Sequence, residues 1–180
     1  MAAPDRSPLR YPLRPVGLEF VDVAPVRYVV EAPLTAPVRA VWDAISADPS
    51  TWTWWRGLRD AGYFGVAPPG VGTTRQVTLA GTTYRETMLV WDAPTRWAYR
   101  VDECSVPIAH ALVETWDIVA HGGGSVLRWT FAADPRFGLR VAGPLRGPII
   151  ARVFRTAMRR LDRHLQHVGA GSLVAPAPDA

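Results

Sequence analysis

The sequence predicts an α+β domain: a curved antiparallel sheet of about seven strands wrapped around a long C-terminal helix, with two short helices after strand 1. Three observations predict it. From Gly57 to Pro135 apolar and polar residues alternate with period two, interrupted by "PPGVG", "AGTT", "DAPT", "SVPIA" and "HGGG", the pattern of about six strands joined by hairpins. Residues 147–169 instead place Ile150, Phe154, Ala157, Leu161, Leu165 and Val168 within one face at 100° per residue. A sheet of that length curls and needs its concave face covered, and a helix roughly 30 Å long at 1.5 Å per residue is the available cover.

The elements follow in order. "VRYVVEAPL" (26–34) is a β-branched run and predicts the first strand. Val38, Val41, Trp42 and Ile45 recur at helical spacing between Pro37 and Pro49, and "STWTWWRG" (50–57) is expected to continue as the second short helix. The single domain is placed at 18–169, with 1–17 a flexible basic, Pro-rich arm and 170–180 a disordered tail.

Composition narrows the partners. The 180 residues suit one domain, and the net charge of +4 comes entirely from arginines, a composition that suits a GC-rich bacterial genome better than a nucleic-acid binder. Cys104 is alone, so neither an internal disulfide nor a thiolate metal site is expected. No run approaches the roughly 20 apolar residues of a membrane span, and the opening stretch lacks the apolar core of a signal peptide. A cytoplasmic protein is expected.

Hairpin register sorts the side chains. With "AGTT" as a four-residue loop, Leu79 opposes Tyr84, Val77 opposes Glu86 and Arg75 opposes Met88. With "DAPT" as the next loop, Val90 opposes Trp97, Met88 opposes Tyr99 and Glu86 opposes Val101. With "HGGG" as the last, Ile118 opposes Leu127, Trp116 opposes Trp129 and Glu114 opposes Phe131. One face is then apolar and the other polar, apart from Leu89, Trp91, Val113, Val119 and Val126 on the polar side. The informative residues are Arg75, Glu86, Glu103 and Glu114 on the apolar side, because a buried charge must be paired or hydrogen-bonded. Arg75 lies one step diagonally from Glu86, which leaves three readings: an ion pair bracing the sheet, a polar anchor for a ligand, or acid–base chemistry. Glu103, near a strand end, is expected to be solvated, and His110 is expected at the rim.

The stretches "APVRAVWDAISADPSTWTWW", "GVGTTR" and "YRETMLVWDAPTRWAYRV" resemble the START-like helix-grip (SRPBCC) superfamily, and within it the polyketide cyclase/dehydrase and lipid-transport branch, over roughly residues 26–168. The resemblance implies a sheet gripping the helix around an apolar cavity that binds lipids, polyketides or other hydrophobic small molecules. Superfamily members include enzymes, carriers and regulators, so fold alone does not choose among them. A carrier or sequestering protein for a hydrophobic small molecule is the expected function. The alternatives are a cyclase/dehydratase using cavity acid–base residues, and an interaction or co-chaperone-like protein whose cavity is filled.

Ligand contact is assigned to Trp52, Trp54, Arg75, Glu86, Met88, Tyr99, Glu114, Trp116, Trp129, Phe154 and Met158, and the catalytic candidates are Glu86, Tyr99 and His110. Trp55 aligns with the single tryptophan of the family here and is read as core, with Trp52 and Trp54 at the cavity mouth. No histidine pair has metal-ligand spacing with a supporting carboxylate, and "HGGGS" precedes a strand rather than a helix, so no metal and no nucleotide cofactor are expected. Arg152, Arg155, Arg159 and Arg163 form a strip opposite the apolar stripe, with Asp162 the nearest relief; it reads as a solvated face offering at most weak contact with an anionic membrane. The expected assembly is a monomer or homodimer.

Overall fold

A computed structural model describes residues 9–65, 67–136 and 146–172. In chain order it contains β1 (Tyr11–Pro12), α1 (Phe20–Val23), β2 (Val26–Leu34), α2 (Val38–Ser46), a 3-10 turn (Pro49–Thr51), β3 (Leu58–Phe64), β4 (Thr74–Leu79), β5 (Thr82–Asp92), β6 (Arg96–Cys104), β7 (Ala109–His121), β8 (Gly124–Pro135) and α3 (Arg146–Ser172). The antiparallel sheet runs β2-β8-β7-β6-β5-β4-β3, and β1 is added beside β6. Helix α3 lies across the concave face, burying Phe154, Ala157, Met158 and Leu161 beside β2 and the strands that follow. Of its predicted stripe, Val168 is 56% exposed and outside the contact. No helix among the described residues is long and apolar enough to cross a membrane.

The hairpins show where register was legible. The last one matches the expected pairs, Ile118 with Leu127, Trp116 with Trp129 and Glu114 with Phe131. In the first, Leu79 opposes Thr82, Val77 opposes Tyr84 and Arg75 opposes Glu86, two residues tighter than expected. The loop is only Ala80-Gly81, both at positive φ (50° and 84°), the backbone that a two-residue hairpin requires to match strand twist. A slip of two preserves which face every side chain takes, so the sorting of faces survives and only the partners change.

Two bulges alter the faces themselves. In β5 the extra residue Leu89 lies between the Met88–Tyr99 and Val90–Ala98 pairs. Beyond it Trp91, rather than Val90, opposes Trp97 and turns into the core. In β6 the extra residue Asp102 separates Glu86–Val101 from Arg85–Glu103. Glu103 is thereby turned outward, half-exposed and 3.1 Å from Arg85, and Cys104 turns inward. Of the apolar residues expected on the wet face, Leu89 and Val113 are covered by Phe20 and Val21 of α1, Trp91 is explained by its bulge, and Val119 remains exposed.

The N-terminal segment departs from the expected flexible arm. β6 and β7 pair only over Arg96–Arg100 and Val113–Asp117, and beyond that they splay. The chain from Arg10 to Arg14 fills the gap: Arg10 and Leu13 N–H donate to the Cys104 and Asp102 carbonyls, and Arg14 N–H donates to His110. Leu13 is buried among Val101, Cys104, Ala109, Leu112 and Ala133. Residues 1–8 and 173–180 of the expected arm and tail lie outside the described residues, and α3 extends through Ser172.

Candidate functional site

The tryptophan stretch is not a second α-helix. Asp48 caps the start of a one-cycle 3-10 turn by accepting from Ser50 N–H at 2.9 Å, and the turn ends in a tight three-residue turn centred on Trp52, where Trp52 N–H donates to Pro49 O and Thr53 N–H donates to Thr51 O. Its three rings pack together, Trp52 stacked on Trp54 at 5.0 Å and Trp54 tilted against Trp55 at 5.4 Å between centroids. Trp54 is buried as core, whereas Trp52 and Trp55 form part of a cavity wall. The expected roles of Trp54 and Trp55 are therefore exchanged.

That cavity has a volume of about 300 Å³ and lies between the concave sheet and the first turns of α3. From the sheet it is lined by Tyr28, Arg75, Glu86, Tyr99, Val101, Leu112, Glu114, Trp129 and Phe131, and from α3 by Ile149, Ile150, Val153 and Phe154. Ile149 and Val153 are 62% and 48% exposed, which places them at the rim. Met88, Trp116 and Met158, expected to touch ligand, are buried in the packed layer instead; Trp116 stands behind Trp129 at 4.0 Å between rings. Phe154 stacks flat on Trp129. His110 is exposed and does not line the cavity, because the pairing of β7 with β8 shifts between Ala109 and Ala111, leaving those two alanines buried on either side of it.

The polar groups in this apolar wall form one connected cluster. Arg75 and Glu86 stand directly opposite on β4 and β5, and Arg75 Nε donates to Glu86 Oε2. Both side chains are almost fully buried. The guanidinium carbon lies 4.5 Å from the Trp97 ring centroid and 4.4 Å from that of Tyr99, so aromatic faces replace part of its lost hydration. Burial works against its charge, but the facing Glu86 carboxylate holds the guanidinium protonated. Burial in turn pushes Glu86 up, with Arg75 pulling it back.

Tyr99 OH continues the chain by donating to Glu114 Oε2 at 2.6 Å, and Trp129 Nε1 donates to the same oxygen at 2.7 Å. Burial nevertheless raises Glu114 to about 7. Sequence reasoning placed Glu114 at the ligand but not among the proton-transfer candidates, although a lone acid on an apolar strand face was the available signal. Burial also holds Tyr99 well above its ordinary value, so its hydroxyl remains a donor. Tyr63 OH lies within hydrogen-bonding reach of Arg75, which offsets part of the upward push of burial on the hydroxyl, whereas the indole Nε1 of Trp52 is buried with no hydrogen-bond partner among the described residues. Among the described residues no group of three or more His, Cys, Asp or Glu side chains is placed to hold a metal ion.

The model of the polyketide cyclase/dehydrase and lipid transport family matches residues 25–168. The chain belongs to this family. The uncharacterized protein Rv2574 of Mycobacterium tuberculosis is 32% identical over 162 residues, covering 87% of this chain and 92% of its own length, and the uncharacterized protein Mb2604 of Mycobacterium bovis matches equally. Among solved structures, Ara h 8.0201 superposes with a TM-score of 0.61 at 14% identity, covering 79% of this chain and 98% of that one. DynU16, from the dynemicin biosynthetic locus, gives 0.57 at 20% identity, covering 78% of this chain and 47% of that one. At these identities the structural likeness speaks to the helix-grip fold alone. Within the family frame, the larger sheet residues of the cavity wall that sequence reasoning did not assign to ligand contact include Tyr28, Tyr84, Leu112 and Phe131. Period-two alternation gave their face, but not which part of that face stays unfilled.

Proposed function

We propose that this family member binds a hydrophobic small molecule in its internal cavity and carries or sequesters it. The single observation that carries the reading is a vacant, mostly apolar space between sheet and helix into which a few polar groups converge, the usual plan of a small-molecule site. A volume of about 300 Å³ is at the low end for such sites and favours a ring-sized compound over a two-chain lipid. The ligand contacts are Trp52, Arg75, Glu86, Tyr99, Glu114, Trp129 and Phe154. The outward Arg152, Arg155, Arg159 and Arg163 support weak contact with an anionic membrane during delivery. Native mass spectrometry of freshly purified protein, followed by organic extraction, tests the reading: a stoichiometric apolar adduct is expected. A clean unliganded mass that persists after incubation with host extract argues against a carrier.

A second reading, a cyclase or dehydratase, is favoured by Glu114. Its carboxyl lines the cavity and titrates close to neutrality, where a group can both release and recover a proton. Loss of turnover but not of binding in Glu114→Gln, once the bound compound is known, separates enzyme from carrier.

A further inference from the structure

This inference rests on the carrier reading and names the chemistry of the molecule carried. The charged residues of the described cavity wall are Arg75, Glu86 and Glu114. Arg75 and Glu86 close on each other, 2% and 4% exposed, and together contribute no net charge. Glu114 has no cation of its own among the described residues. Both of its hydrogen bonds, from Tyr99 OH and Trp129 Nε1, come from neutral donors and go to Oε2. Its other oxygen, Oε1, has no partner there and is not sealed by protein, for Glu114 lines the cavity and is only half-buried.

An ionised carboxylate facing an apolar space is costly unless it is paired. Tyr99 and Trp129 cannot complete the pairing, because each has its single polar hydrogen committed to Oε2. The same commitment denies those donors to a bound carbonyl, and a bound carboxylate would set a second negative charge beside Glu114. A protonated amine fits in the opposite sense. Its N–H donates to Oε1, its charge cancels that of Glu114, and the rings of Tyr28, Tyr99, Trp129, Phe131 and Phe154 offer faces to both the cation and an apolar body. The volume of about 300 Å³ limits that body to ring size. We propose that the cavity binds a small hydrophobic amine as its ammonium ion, with the ammonium on Glu114 Oε1 and the apolar body among the aromatic rings of the sheet and α3.

Calorimetric titration of the full chain with three naphthalenes tests this at pH 8, above the value of about 7 to which burial raises Glu114. The three are nearly equal in size and differ in charge. 2-Naphthylmethylamine is a cation at this pH, 2-naphthylmethanol is neutral but keeps a polar hydrogen, and 2-naphthoate is an anion. The amine is expected to bind at least about tenfold tighter than the alcohol, because a charge-assisted hydrogen bond exceeds a neutral one, and the carboxylate is expected to bind weakest. Glu114→Gln keeps an acceptor oxygen without the charge and is expected to bring the amine within about threefold of the alcohol, whose own affinity changes little. Equal binding of amine and alcohol overturns the ammonium site and leaves the carrier reading standing. Tighter binding of the carboxylate overturns the sign of the charge selected. An amine preference that survives in full in Glu114→Gln overturns Glu114 as its partner. Binding of none of the three overturns the carrier reading and this inference with it. The ranking in the unsubstituted protein decides whether a cation is preferred even where Glu114→Gln fails to fold.

Discussion

Replacing Glu114 by glutamine is expected to stabilise the protein at alkaline pH and to leave it little changed in acid. The carboxyl lines an apolar cavity and accepts from Tyr99 OH and Trp129 Nε1. Glutamine can keep both bonds through its amide oxygen while removing the charge. Burial raises Glu114 from 4.5 to about 7, so between those values the folded protein holds a proton that the unfolded chain has released. Stability is then fully present below about pH 4.5, declines as pH rises, and levels off above about pH 7. At about 1.4 kcal/mol for each pH unit the full penalty is about 3 kcal/mol, and solvent reaching a half-buried carboxyl lowers it, so about 1–3 kcal/mol is expected at pH 8. Urea unfolding of both proteins at pH 4.5, 6, 7 and 8 measures it. Glu86 is also raised by burial, so the wild-type curve contains both groups and only the difference between the two proteins isolates Glu114. A difference that stays constant across this range would refute the argument, because a purely steric effect of the amide carries no pH dependence.

Three further substitutions probe the frame around the cavity. Leu13→Ala is expected to cost about 2 kcal/mol in urea unfolding, the low end for a buried leucine, and a cost below about 0.5 kcal/mol would mean that the N-terminal segment does not seat between β6 and β7. Arg75→Met leaves Glu86 buried without its cation and is expected to cost about 3–5 kcal/mol, most of it recovered when Glu86→Met is added; failure to recover would place the loss in packing rather than charge. Ala80→Gly is expected to raise stability by about 0.5–1 kcal/mol by relieving a positive φ at the β4–β5 turn, and thermal denaturation that shows a loss instead would contradict the two-residue turn.

The parts of the fold that were legible in the sequence are those set by repetition. The limits of β2 follow from its β-branched run, and the six-strand meander and the pairs of the β7–β8 hairpin from period-two alternation and a Gly-Gly turn. What escaped reading depends on single inserted residues. Leu89 and Asp102 carry no marker distinguishing a bulge from ordinary strand, yet each reverses the face of everything beyond it and decides where Trp91 and Glu103 point. The docking of residues 10–14 was illegible for a different reason, since it depends on β6 and β7 splaying far away in the chain. Asp162 shows the same dependence on distant partners. It was expected to relieve the arginine strip of its own helix, but it accepts from Thr35 N and Oγ1 at 2.7 and 2.9 Å and ties α3 to the end of β2. Four polar members of the site, Arg75, Glu86, Tyr99 and Glu114, were recognisable because charged or hydroxylated side chains on an apolar strand face need partners, whatever the register.

The position of the cavity follows from a gradient of side-chain size across the strands. Trp97, Trp116 and Trp129 stand in one cross-strand row, with Trp91 extending it on β5 and Val30 on β2, and together with α2 they fill that end of the grip. Two residues along, the row reads Met88, Tyr99, Glu114, Phe131 and Tyr28, three aromatic rings with a methionine and one acid. Two further along are Val101 and the opposed Leu112 and Ala133, too small to meet the helix across the same gap. Space is therefore left at the small end and closed at the tryptophan end, with Tyr99 and Glu114 at the boundary between them. On the carrier reading proposed above, a ligand entering past Ile149 and Val153 would meet this polar boundary where the vacant space ends. On that reading tryptophan packing sets how deep such a molecule reaches, and Tyr99 and Glu114 at the boundary set its orientation.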